Sequence, residues 1–123
     1  MNSTITDTEA VTVKINAYVD GCRQGDISIL KGAFHPDARM FGAVGADRYD
    51  VPITAMIDMV GAQPTGNHDA RVLSIDVSGD AASVKLAESN FWGQDFIDYF
   101  LLARIDGDWQ IVAKAFDNPG PTG

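Results

Sequence analysis

The sequence predicts a single α+β domain, and three observations support this fold class. Helical spacing of apolar residues is confined to the first half of the chain, whereas alternating and β-branched runs fill residues 71–116. The predicted order is helix, helix, strand, helix and then four strands in antiparallel succession, so helices and strands are largely segregated. A chain of 123 residues has room for one hydrophobic core, which we place in residues 1–118. Residues 119–123 are expected to form a flexible C-terminal tail.

Two helices are predicted near the start of the chain. Thr6-Asp7-Thr8-Glu9 matches a capping box, in which a Thr hydroxyl and a Glu three residues later satisfy each other's backbone amides. The first helix begins there, ends at Gly25, and carries an apolar stripe of Val11, Ile15, Tyr18, Val19 and Cys22. Asp26 caps a second helix that Pro36 closes, with three residues facing inward: Ile27, Leu30 and Phe34.

The middle of the chain is predicted to hold one strand and one helix. Residues 39–43 form the strand and residues 45–48 a loop. The third helix begins at Asp50-Val51-Pro52, because proline is tolerated in a first turn, and Gly61 and Pro64 end it. Its apolar stripe consists of Ile53, Met56, Ile57 and Val60.

Four strands are predicted after the third helix. Residues 71–77 alternate with Leu73, Ile75 and Val77 inward, and the turn at Ser78-Gly79-Asp80 leads into a strand over residues 81–92. The last two strands flank Asp106-Gly107-Asp108 and form a hairpin. Neither face of residues 96–105 is cleanly polar, which predicts helices over one face and a second subunit over the other.

Composition and charge argue against several classes of partner. The formal net charge is −8, with 17 acidic and 9 basic side chains and no run of Lys or Arg, so nucleic acid is not an expected partner. No apolar run approaches the ~20 residues of a membrane helix, so no membrane partner is expected. The first residues lack the features of a secretory signal, and Cys22 is the only cysteine, so we expect a cytoplasmic protein.

The order of several motifs resembles a known superfamily. These motifs are the capped first helix, Gly25-Asp26, Phe34-His35-Pro36-Asp37-Ala38 and Asp106-Gly107-Asp108-Trp109-Gln110-Ile111. In this order they resemble the nuclear transport factor 2-like superfamily, and within it the putative lumazine-binding group of small bacterial proteins. The resemblance implies a cone-shaped barrel, in which a strongly bent antiparallel sheet wraps around a long N-terminal helix and two shorter helices. It also implies a pocket and a homodimer through the outer sheet face. Isomerases, dehydratases, polyketide cyclases and non-catalytic transport domains share this fold, so it leaves function open.

Three charged residues are candidates for catalysis. Alternation that points Val84 and Leu86 inward also points Glu88 inward, unless a bulge intervenes; otherwise Glu88 flanks the core at solvent or pairs with an Arg. Asp98 and Lys114 are diagonal neighbours if Asp98 lies opposite Phe116, and a tight two-residue turn would part them. Such a pair has a structural and a pocket interpretation, and we leave both open. Together the three could transfer a proton beside a carbonyl, with a carboxylate as base and the ammonium stabilising the enolate.

Eight residues are candidates for binding a planar ligand in an apolar cavity, although ordinary core packing is the more frequent role for each such residue. They are Met40, Tyr49, Met56, Met59, Asn90, Trp92, Tyr99 and Phe116. Phe41 and Phe91 are further candidates for the cavity lining on the same argument. His35 is expected in a structural turn, and His68 is expected on an exposed loop, with the pocket mouth as its alternative position. Neither their spacing nor Gly42-Ala43-Val44-Gly45 matches a metal or nucleotide motif, so no metal and no cofactor are predicted.

These features predict a small-molecule-binding protein with a small, hydrophobic or aromatic ligand. The first alternative is an acid–base enzyme of the isomerase, dehydratase or polyketide-cyclase type, which requires a carboxylate or His inside the pocket and a donor near the developing oxyanion. The second alternative is a protein-association module, which requires an exposed apolar patch beyond the dimer face.

Overall fold

The computed structural model describes residues 4–123, and these residues form three helices and one six-stranded sheet. The elements are α1 Thr4–Gln24, α2 Ile27–Ala33, β1 Phe34–Val44, β2 Asp47–Pro52, α3 Ile53–Ala62, β3 Asp69–Ser78, β4 Ala81–Phe91, β5 Gln94–Ile105 and β6 Asp108–Pro121. The strand order is β2-β1-β6-β5-β4-β3, with β1 and β6 parallel and the other neighbours antiparallel. The predicted α+β class is confirmed, and the curled, open sheet fits the predicted cone.

Helix α1 packs its predicted apolar stripe into the core. Tyr18 is fully buried and meets Phe34 and Phe100 edge to face, with ring centroids 5.9 and 5.0 Å apart. Helix α1 begins two residues before the predicted capping box, so that box lies within its first turns. The predicted cap of the second helix is confirmed: the Asp26 side chain accepts a hydrogen bond of 3.1 Å from the backbone N–H of Ile29 and caps α2.

Strand β2 was not predicted, and its presence shortens the predicted third helix at its start. Residues 47–52 pair with β1, placing Val51 opposite Met40, so Asp50 and Pro52 belong to a strand. Pro52 is tolerated because β2 is an edge strand and the proline is its last residue. Helix α3 therefore starts at Ile53, and its predicted stripe is buried as expected.

Helix α2 is shorter than predicted, because strand β1 begins earlier. Phe34 is buried, but as the first residue of β1, and Pro36 lies within that strand. Ile27, predicted to face inward, is 40% exposed.

Two β-bulges, one in β3 and one in β6, change which side chains face the core. Leu73 is the extra residue between β3 and β4, so it is exposed, whereas Ile75 and Val77 pack against the core as predicted. In the last hairpin, Leu102 pairs with Ile111 but Leu101 pairs with Ala113, which leaves Val112 as the extra residue.

Two further features concern the chain as a whole. Residues 119–121, predicted to belong to the tail, continue strand β6, and Pro121 pairs with Gln94. None of the helices within residues 4–123 is both long and apolar enough to cross a membrane.

Candidate functional site

A cavity of about 150 Å³ opens between helix α3 and the inner face of the sheet. Six of the eight predicted ligand-binding residues line it: Met40, Tyr49, Met56, Met59, Trp92 and Phe116. Glu88 and Lys114 line the same cavity and are its charged side chains among the described residues. The cavity is therefore largely apolar, and two of the three predicted catalytic residues, one acidic and one basic, line its wall.

The other two predicted ligand-binding residues lie outside this cavity. Asn90 is exposed and has a left-handed φ of 58°, because the bulge between Glu88 and Phe91 breaks the alternation of β4. Tyr99 is 53% exposed on the outer sheet face, since its neighbours Asp98 and Phe100 face inward.

Four further residues complete the lining: Phe91, a candidate from the sequence, and Val44, Gln94 and Phe96, which the sequence prediction missed. The bulge that turns Asn90 outward brings Phe91 inward, where it is buried. Trp92 and Gly93 both have positive φ, of 55° and 80°, as a two-residue type I′ hairpin turn requires. The Trp92 indole N–H donates to the Gln63 carbonyl at 2.9 Å and so ties this hairpin to the end of α3.

Glu88 is held at the inner end of the cavity by contacts to both of its oxygens. It is only 3% exposed, so its placement at solvent, the alternative considered from the sequence, is wrong. The Tyr18 hydroxyl donates to Oε1 at 2.8 Å, and His68 Nε2 lies 2.7 Å from Oε2. The second contact is short but not aligned as a straight hydrogen bond. Burial, followed by the charge of Glu88, raises the pKa of Tyr18, which keeps the phenol protonated as a donor.

His68 is the site residue that the sequence prediction placed wrongly. Instead of lying on an exposed loop it is fully buried, with Nδ1 2.5 Å from the Thr65 hydroxyl and its ring 5.0 Å from that of Phe91. The Arg23 guanidinium donates to the His68 carbonyl oxygen at 2.9 and 3.0 Å and fixes the backbone. No local pattern reveals this position, because Arg23, Glu88 and Phe91 are distant from His68 in sequence.

His68 is a neutral imidazole at neutral pH. Burial, and then the nearby Arg23 charge, lowers its pKa to about 4. The Thr65 hydroxyl can donate to Nδ1, which leaves the ring proton on Nε2, the nitrogen that faces Glu88.

Asp98 and Lys114 lie close together, because the last hairpin combines a tight two-residue turn with the pairing of Asp98 and Phe116. The turn is a tight two-residue one at Asp106-Gly107, but the bulge at Val112 shifts the pairing and places Asp98 opposite Phe116. Lys114 Nζ lies 3.7 Å from Asp98 Oδ1. Burial raises the pKa of Asp98 well above its ordinary value; the Lys114 charge opposes this, and the Glu88 charge adds to it.

The remaining candidate groups take no part in the site. Cys22, part of the predicted apolar stripe of α1, is fully buried, and burial raises the pKa of its thiol, which makes it an inert core residue. Within residues 4–123, no group of three or more His, Cys, Asp or Glu side chains is arranged to hold a metal ion. The chemistry available is therefore proton transfer by Glu88 and Asp98, with Lys114 as the cationic donor.

Comparison with known proteins gives consistent results. The family model described as "Putative lumazine-binding" matches residues 6–117. Aldolase FrzH of Cladobotryum sp. is 30% identical over 115 residues, which cover 92% of each chain.

Solved structures share the fold over nearly the whole chain. An NTF2-like protein of unknown function from Methylobacillus flagellatus KT is 31% identical, with a TM-score of 0.89 and 95% of each chain covered. One from Shewanella baltica OS155 is 26% identical, with a TM-score of 0.87 and coverage of 96% of this chain and 98% of the other.

Proposed function

The chain belongs to the putative lumazine-binding family of the nuclear transport factor 2-like superfamily, and from this membership we propose that it binds a small, largely apolar carbonyl compound and transfers a proton at the carbon beside the carbonyl. One observation supports this proposal above the others. Glu88 and Lys114 line one apolar cavity, so a base and an electron-withdrawing group face the same ligand. The relative that carries the name aldolase belongs to a class of enzymes whose chemistry takes place at such a carbon.

The contacts of Glu88 suit it to the role of base. Tyr18 and His68 each approach one carboxylate oxygen, which fixes the orientation of the group. A carboxylate oxygen has two lone pairs, so Oε1 keeps one beyond the bond from Tyr18 that can accept a substrate proton, whereas Oε2 is fully buried. Lys114, on the same wall, would bind the carbonyl oxygen and stabilise negative charge that develops there.

The cavity volume limits the ligand to about one ring. At about 150 Å³ it equals the engineered cavities that hold a molecule of benzene, and it lies below the ~300 Å³ of typical ligand pockets. A fused two-ring compound such as lumazine would require the cavity to widen. The proposed ligand is therefore a compound of one six-membered ring or less with a carbonyl group.

The proposal is tested by exchange of the protons beside the carbonyl of cyclohexanone, followed by NMR in D₂O. We expect the protein to accelerate exchange and Glu88→Gln to slow it by a factor on the order of 10² to 10⁴. Glu9, the only other glutamate, is exposed, so Glu9→Gln is the matched control and should exchange at the wild-type rate. Equal exchange by the wild type and Glu88→Gln would refute the assignment of the base.

Binding without chemistry is the second candidate function, and the family description favours it. Most of the cavity lining is thioether or aromatic, which suffices to hold a flat apolar molecule. In this case cyclohexanone would perturb the NMR signals of Met56 and Met59, but no exchange above the solvent rate would follow.

The proposal includes a homodimer through the outer face of the sheet. Phe41, Tyr99 and Leu101 are 42%, 53% and 55% exposed there. Ala115 lies between Phe41 and Tyr99 in the strand pairing, so these side chains form a continuous apolar row. We expect light scattering to give a dimer for the wild type and a monomer for Leu101→Lys; a wild-type monomer at micromolar concentration would contradict this assembly.

A further inference from the structure

We infer that Lys114 acts as a nucleophile, whose amine condenses with the carbonyl group of the ligand to form an imine. The inference rests on the proposed function, because it takes the ligand to be a carbonyl compound in the same cavity. It assigns to Lys114 a covalent role in place of the purely electrostatic one described above.

The Lys114 amine is buried in a largely apolar part of the cavity wall. The side chain is 5% exposed, and its hydrogen-bond contacts within residues 4–123 are two thioethers, Met40 Sδ at 3.8 Å and Met56 Sδ at 3.9 Å. The rings of Tyr18 and Phe116 lie 5.5 and 5.2 Å from Nζ. Lysines that form imines in other proteins are activated by desolvation of this kind.

Asp98 is placed to take the proton that makes the amine nucleophilic. Its Oδ1 lies 3.7 Å from Nζ, and both of its carboxyl oxygens are buried. Transfer of a proton from the Lys114 ammonium to the Asp98 carboxylate converts a buried ion pair into two neutral groups and so removes the cost of burying two charges.

The geometry leaves the amine open to the ligand. Lys114 lines the cavity, whereas Asp98 is fully buried behind it. A carbonyl carbon that enters the cavity therefore meets the amine first, with Asp98 on its far side and Glu88 in the same wall. This order of groups is the one that attack followed by proton shuttling requires.

The condensation balances with the groups present. The amine lone pair forms a bond to the carbonyl carbon, and the carbonyl π electrons move to oxygen, which takes the proton held by Asp98. The nitrogen then gives a second proton to the Asp98 carboxylate. Asp98 passes this proton to the hydroxyl, which leaves as water while the nitrogen lone pair closes the C=N bond, and Asp98 is again a carboxylate. The protonated imine withdraws electrons, so Glu88 can remove a proton from the neighbouring carbon. No oxidant or reductant takes part, and hydrolysis reverses the condensation.

Reductive trapping tests the inference on the full chain. Cyclohexanone and sodium cyanoborohydride would convert an imine into a stable cyclohexyl amine, which intact mass spectrometry counts and peptide mapping locates. The chain has four lysines, Lys14, Lys31, Lys85 and Lys114. We expect one cyclohexyl group per chain, with about tenfold more label at Lys114 than at any other lysine. Absence of label at Lys114, or equal labelling of all four, would overturn the inference.

Two variants separate this inference from the proposed function. Lys114→Arg keeps a positive charge without a nucleophilic amine and should lose both trapping and exchange, whereas Lys85→Arg, on the outer face beside Tyr99, should keep both. Wild-type exchange that persists in Lys114→Arg would overturn the covalent role and leave the proposed function standing. Trapping at Lys114 without any exchange would support the nucleophile and refute proton transfer by Glu88.

Discussion

Protonation of His68 is expected to destabilise the folded protein as the pH falls. The imidazole is fully buried and has a pKa of about 4, against an ordinary value of 6.5. Above pH 6.5 it is neutral in both the folded and the unfolded chain. Between pH 6.5 and pH 4 only the unfolded chain takes up the proton, so the free energy of unfolding falls throughout this window.

The size of the effect follows from the two pKa values. They differ by about 2.5, and each pKa unit corresponds to about 1.36 kcal/mol, so His68 contributes about 3 kcal/mol at neutral pH that is absent at pH 4. Asp98 has the opposite effect. Its raised pKa means that the folded chain keeps this proton to a higher pH than the unfolded chain does, so the contribution of Asp98 to the free energy of unfolding falls as the pH rises. The His68 effect must therefore be measured as a difference between two proteins.

The appropriate variant is His68→Gln, whose side-chain amide can keep a donor towards Glu88. Urea unfolding at pH 7 and pH 4 gives the free energies of unfolding. We expect the wild type to lose about 3 kcal/mol more than His68→Gln across this interval. His35, which is partly exposed in β1, provides the control His35→Gln, expected to follow the wild type.

Two results would refute this reasoning. One is a parallel loss of stability in the wild type and His68→Gln between pH 7 and pH 4. The other is a direct NMR titration in which the His68 ring takes up its proton above pH 6, as an exposed imidazole would.

Two further predictions concern packing and the buried acid. A Cβ at Gly42 would lie 2.5 Å from the Phe116 ring, so Gly42→Ala should lower the free energy of unfolding, measured in urea, by about 1–3 kcal/mol. At Gly32 a Cβ meets nothing within 4 Å, so the control Gly32→Ala should not lower it. Equal losses in the two variants would contradict this account. Asp98→Asn removes a carboxyl whose ionisation opposes folding, so its free energy of unfolding relative to the wild type should increase as the pH rises above 4; a pH-independent difference would show that Asp98 is not perturbed in the folded state.

Local patterns predicted those parts of the fold and site that depend on periodicity. Helical spacing identified Met56, and alternation along β4 identified Glu88 as inward-facing, because both signals need only a few neighbouring residues. Alternation also shows that Asp98 and Tyr99, adjacent in β5, cannot both face the cavity. Because both faces of β5 carry apolar residues, the sequence does not reveal which face points to the cavity. That choice is made by the packing of α1 on the sheet.

The rest of the site depends on contacts that join distant parts of the chain. His68, in the loop before β3, is held in place by Arg23, 45 residues earlier, and by Glu88 on β4. Strand β2 escaped prediction because Asp50-Val51-Pro52 is a sound helix start by local chemistry, and only pairing with β1 makes it a strand. Neither signal exists within a short window of sequence.

The extra residue at Val112 means that the charge in the cavity depends on the number of residues in β6 as well as on their identity. Trp109 and Ile111 face inward before the bulge and Lys114 faces inward after it, which reverses the odd–even parity within one strand. Two chains could therefore share every residue type around this position and still differ in whether an amine reaches the cavity. A one-residue gap in an alignment of β6 thus carries chemical information that residue-by-residue identity does not measure.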